Sequence, residues 1–75
     1  MILKRRCAGI TLQRTFGEGR RYVGVINGQP VLFASPTKVS RWVATVNWQH
    51  GEKARQVANG FTLTMCVNAA KEELT

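Results

Sequence analysis

Apolar and polar positions alternate from Gly9 onward. Ile10 and Leu12, with Phe16 in line, fall on one side, and Thr11, Gln13 and Thr15 on the other. Period two with β-favouring residues predicts a strand over 9–16, closed by the turn-forming Gly17-Glu18-Gly19. Two further apolar runs, 20–26 and 29–34, flank Asn27-Gly28. Both central residues of a type I′ turn need positive φ, which Asn and Gly tolerate best, so the two runs predict a hairpin. A two-residue turn sets Ile26 opposite Gln29, Val25 opposite Pro30, Val23 opposite Leu32 and Tyr22 opposite Phe33. Pro30 has no amide to donate, which puts its strand at an edge or its nitrogen side away from a ladder.

Ser35-Pro36 suits a helix start, and Val39, Trp42, Val43 and Val46 recur at i, i+3, i+4 and i+7. A helix is expected near 36–47, and a short second one near 52–59, closed by Gly60. Phe61, Leu63, Met65 and Val67 alternate with Thr62, Thr64, Cys66 and Asn68, the pattern of a half-buried strand over 61–67. Asn68 then caps a last turn through Ala69, Ala70 and Leu74. Residues 1–8 show little periodicity and read as a flexible basic arm. The expected architecture is a single α+β domain, with helices packed on a small, mostly antiparallel sheet. Periodicity leaves Trp48 open between core residue and exposed anchor.

At 75 residues the chain can bury one small core. It has no apolar run long enough for a membrane span and no apolar stretch behind Met-Ile-Leu-Lys-Arg-Arg that would make a secretory signal. The reading is of a complete, cytoplasmic chain. Cys7 and Cys66 are then two reduced, small, buried or half-buried side chains. With His50 they lie too far apart in sequence for a zinc site.

Charge changes the picture most. Eleven Lys and Arg face four acids, a net +7, which points to a polyanionic or acidic partner. Most of the excess lies in residues 1–21, with Lys4, Arg5, Arg6, Arg14, Arg20 and Arg21 against Glu18. Arginine outnumbers lysine, and its planar fork suits phosphate and base edges. Catalytic chemistry is thinly supplied. The acids are few, two of them in the tail, and His50 beside Gly51 reads as a solvated loop residue. Gly17-Glu18-Gly19-Arg20-Arg21 lacks the Gly-Lys-Ser/Thr ending of a phosphate loop and joins two expected strands. No enzyme and no cofactor is implied.

Three strands ending in Arg-Tyr-Val-Gly-Val-Ile, Asn-Gly and Pro-Val-Leu-Phe-Ala, followed by a helix with Trp42, resemble small three-stranded-sheet DNA readers. These are the AP2-type domains and the amino-terminal arm-binding domains of tyrosine recombinases. The likeness covers residues 9–47 and is one of order and spacing, without a specific motif. In that group a sheet lies in the major groove and the helix braces its back. The resemblance implies Arg14, Arg20 and Arg21 as groove and phosphate contacts, with Lys38 and Arg41 touching the backbone.

The expected hairpin departs from that group in having two apolar faces. One carries Val23, Val25, Pro30 and Leu32, the other Tyr22, Ile26, Val31 and Phe33. One helix covers one face, so the second must meet the rest of the chain or another molecule. Tyr22 and Phe33 could also stack unpaired bases, and Trp48 could contact a partner. The charge supports a small, basic, non-enzymatic nucleic-acid-binding accessory or regulatory protein, with duplex DNA favoured. The apolar faces support the alternative, a phage- or plasmid-type inhibitor or adaptor on an acidic host protein, or a homodimer.

Overall fold

The computed structural model describes residues 4–15, 19–35 and 41–75. Its elements are β1 (Lys4–Cys7), β2 (Ile10–Arg14), β3 (Arg20–Ile26), β4 (Gln29–Ser35) and β5 (Trp42–Val46). A 3-10 segment (Trp48–Lys53), β6 (Arg55–Gly60) and α1 (Leu63–Leu74) follow. The strands form one six-stranded antiparallel sheet in sequence order, β1 and β6 at its edges. With α1 packed on one face, the class is α+β.

The central hairpin follows from its turn. Asn27 and Gly28 take φ of 54° and 81°, and the register places Tyr22 opposite Phe33 and Val25 opposite Pro30, as expected. The strand holding Pro30 is interior, between β3 and β5. The β5 ladder begins only at Val31, so no proline amide is wanted on that side.

Elsewhere the expected elements change. Residues 4–7, expected in a flexible arm, form β1, joined to β2 through Ala8 and Gly9 at φ of 51° and 82°. The expected strand over 9–16 is β2, ending at Arg14; residues 1–3 and 16–18 lie outside the described residues. The helix expected near 36–47 is replaced from Trp42 by β5, while 36–40 lie outside the described residues. The spacing of Val39, Trp42, Val43 and Val46 fits a helix, but Trp42, Ala44 and Val46 also alternate. Three β-branched residues in five favour the extended form. The helix expected near 52–59 is the end of the 3-10 segment followed by β6. Gly51 (φ 46°, ψ −88°) breaks the helical path, and Ala54 is already extended.

The strand expected over 61–67 is instead the first part of α1. Leu63, Cys66, Val67 and Ala70 are its buried residues, a stripe at i, i+3, i+4 and i+7. Cysteine and alanine complete that stripe, and a reading led by large side chains passes over them. Thr62 caps the helix, its hydroxyl accepting from the Met65 amide at 3.1 Å. The two members of the false alternation outside the stripe, Phe61 and Met65, are 68% and 52% exposed.

The core lies between α1 and one sheet face: Leu12, Ile26, Val31, Phe33, Trp42, Ala44, Val46 and Ala58 against the helix stripe. Gly60 lets the helix start lie close. A Cβ there would sit 2.7 Å from the Cys66 amide nitrogen and 2.9 Å from Met65 Cβ. The far end of α1 is tied to two of the turns, β1–β2 and β3–β4. Lys71 Nζ donates to the Ala8 carbonyl at 2.8 Å, and Asn27 Nδ2 donates to the Leu74 carbonyl at 3.1 Å. Among the described residues, no helix is long and apolar enough to cross a membrane.

Candidate nucleic-acid interface

Residues in register on neighbouring strands share a sheet face, and successive residues alternate between faces. Leu12, Phe33 and Ala44 belong to the core under α1, so their neighbours along the chain point the opposite way. That open face carries a cross-strand row of Lys4, Gln13, Val23, Leu32, Thr45 and Gln56. On one side of the row lie Arg6 and Thr11 with Val25 and Pro30; on the other lie Arg21, Ala34, Val43 and Asn59. Leu32 is buried although it stands outside the core cluster, whereas Val25 is 55% exposed.

The remaining strand cations turn to the helix side. Arg5 is in register with core residue Leu12, and Arg14 with Tyr22. Arg20 is in register with buried Ser35 and holds its guanidinium 5.5 Å from the centre of the Trp42 ring. α1 lies mainly against β6 and β5, which leaves these residues exposed beside it. The β1–β3 part of the sheet is therefore cationic on both faces. Among the described residues the strands carry no acid, while Lys4, Arg5, Arg6, Arg14, Arg20, Arg21 and Arg55 lie on them. Glu52 is on the 3-10 segment, and Glu72 and Glu73 are on α1.

The expected contacts thus divide. Lys4, Arg6 and Arg21 share the open face, and Arg5, Arg14 and Arg20 the other. Arg41 is drawn to the opposite edge, 5.6 Å from the Phe61 ring centre next to β6, and Lys38 lies outside the described residues. Phe33 is withdrawn from any stacking role, because it is fully buried in the core. Tyr22, half-buried, packs tilted against Trp42 with ring centres 6.0 Å apart. Arg55 was hidden by the helix expected over it.

Trp48 is placed by a backbone reversal. Asn47 takes a left-handed conformation (φ 56°, ψ 31°), and the His50 amide donates to the Asn47 carbonyl at 3.0 Å. The half-buried indole then borders an open cleft of about 780 Å³ on the uncovered face, together with Lys4, Gln13, Arg14, Val25 and Gln49. Thr11 and Gln13 were legible as the polar side of the first alternation; Gln49 was not, because its place depends on β5 being a strand. Cys7 and Cys66 are free and buried, Cys7 within 3.3 Å of the Thr64 hydroxyl. Burial pushes the Cys66 thiol from 9.0 up to about 11, which suits packing and not nucleophilic chemistry. Comparison with protein-family models, curated proteins and solved structures gives no match.

Proposed function

We propose that this chain is a small nucleic-acid-binding accessory or regulatory protein without catalytic activity, which grips the sugar–phosphate backbone with the β1–β3 part of its sheet. One observation carries the reading: the charged side chains of the described strands are all cations, and the described acids sit on the 3-10 segment and helix. A phosphate backbone meeting that surface displaces counterions, and the gain grows with each phosphate neutralised. Thr11 and Gln13 add donors and acceptors beside these cations, and Thr45 and Gln56 continue the polar row toward β6, as a surface meeting sugars and bases needs.

The test is fluorescence anisotropy of labelled oligonucleotides at several salt concentrations. The expected result is an affinity that falls steeply with salt. Replacing Lys4, Arg6 and Arg21 together by Gln should flatten the slope by roughly 2–3, at about 0.7–0.9 per phosphate contact. An unchanged slope in a variant with native circular dichroism overturns the reading.

A second reading, a module for an acidic protein or a second copy of the chain, is favoured by Val25, exposed on the same open face as Val23 and Val43. Light scattering showing a strict monomer, with no protein recovered in a pull-down beyond nucleic-acid-borne contaminants, counts against it.

A further inference from the structure

We propose that the cleft beside Trp48 receives an unpaired base, so that the preferred ligand is single-stranded nucleic acid. This rests on the nucleic-acid reading above and specifies its substrate. Three observations lead there.

The first is width. Six strands spaced ~4.8 Å apart make a sheet roughly 24 Å across, and the protein measures 29 × 28 × 25 Å. The major groove of duplex DNA is about 12 Å wide and admits a helix or a two-stranded ribbon. This face cannot enter it.

The second is the cleft. Its volume of about 780 Å³ falls in the ~300–1,000 Å³ range of small-molecule sites, room enough for a nucleotide. Val25 offers an apolar wall, Gln13 and Gln49 offer amides that can pair with a base edge, and Lys4, on the open face, places a cation on the same lining. Apolar surface, amides and a cation in one open depression match a base, its edge and its phosphate.

The third is the aromatic inventory. Phe33 is sealed in the core, and Tyr22 is packed on Trp42. Phe61 is exposed, but next to β6, at the edge opposite the β1 cations. Among the described residues, Trp48 is the large ring that borders the cleft, and its backbone is set by the Asn47 reversal. An indole beside phosphate-binding cations provides a stacking surface tolerant of any base.

The test compares a labelled single-stranded DNA of roughly 12 nucleotides, the RNA of the same sequence, and the matching DNA duplex, all at one salt concentration and then across a salt series. Either single strand should bind at least about tenfold tighter than the duplex, and the tighter of the two names the sugar. Trp48→Ala should weaken single-strand binding by about tenfold, within the range of one base–aromatic stack, with the salt slope unchanged. Trp48→Phe should retain most of the affinity. Should Trp48→Ala fail to fold, Trp48→Leu keeps apolar bulk without the ring, and the same loss is expected. Duplex binding as tight as single-strand binding overturns the proposal. So does a folded Trp48→Ala or Trp48→Leu variant of undiminished affinity, while the backbone-binding reading survives both results. Absence of binding to all three probes overturns the two together.

Discussion

The two faces of the sheet are made from the same strands, offset by a single residue, yet they differ in nearly every property. Under α1, Phe33, Val31 and Ala44 are wholly buried and join Leu63, Cys66, Val67 and Ala70 in one core. Across the pleat, Leu32 is buried apart from that core and Val25 is 55% exposed, with Lys4, Arg6 and Arg21 around them. Burying one apolar face stabilises a chain this short; leaving the second uncovered adds little to folding. The same pleat thus separates a stability face from the face proposed for contact.

Truncation should break that symmetry most visibly. Phe33→Ala removes a fully enclosed ring and should cost about 3–5 kcal/mol in urea denaturation, from lost transfer energy and the cavity left behind. Set against a typical stability of ~5–15 kcal/mol, that leaves a largely unfolded or marginal protein. Val25→Ala, on the open side of the neighbouring strand, should change stability by less than about 0.5 kcal/mol. Comparable losses at the two positions would mean that the open face is covered in solution, as self-association would do. Gly60→Ala comes next. Its new methyl would press on the backbone of α1, and overpacking of that kind costs roughly 1–3 kcal/mol.

Third in size is an alkaline effect confined to the covered face. Cys66 is raised to about 11 in the folded state, from an ordinary 9.0, because burial disfavours the thiolate. The unfolded chain therefore loses this proton more readily than the native one. Stability from Cys66 is complete below pH 9 and is lost as pH rises toward 11. Denaturation midpoints measured across that window should fall less steeply in Cys66→Ala than in the parent chain. Equal slopes would show that the thiol is better solvated than its enclosure under α1 implies.

How far these faces could be read from the chain depended on where the signal lay. Asn27-Gly28 dictates its hairpin by local turn chemistry, so β3, β4 and their register were legible from seven residues on each side. β1, β5 and β6 were not: each pairs with a strand adjacent in sequence, but no turn signal as specific as Asn-Gly and no clean period of two declares them. Lys4–Cys7 looks featureless until β2 is beside it, and Trp42–Val46 fits two periods at once. The helix was missed because its stripe is completed by Cys66 and Ala70, small residues that weigh little beside Phe61 and Met65 in a period-two pattern. For the site, charge was legible and direction was not. Lys4, Arg6 and Arg21 could be named as cations, but their common face follows only from the register of strands that the sequence did not declare. Trp48 needed the Asn47 reversal to become a cleft residue.

The smallest expected effect concerns the β1–β2 turn, which sets where Lys4 and Arg6 stand and whose partly buried Ala8 packs against the core. Ala8-Gly9 and Asn27-Gly28 have nearly the same φ, 51° and 82° against 54° and 81°. Asparagine tolerates the left-handed region; alanine pays about 1 kcal/mol or more for it. Part of that strain is offset by the Lys71 ammonium on the Ala8 carbonyl, a backbone contact that survives substitution. Ala8→Gly or Ala8→Asn should therefore stabilise the protein by up to ~1 kcal/mol, which is a rise in Tm of about 4–8 °C for a domain of this size. The salt slope of oligonucleotide binding should not change, since the cations of β1 keep their register. A variant that gains stability and also alters the slope would show that β1 moves to reach its ligand, tying the contact face to the strength of a turn.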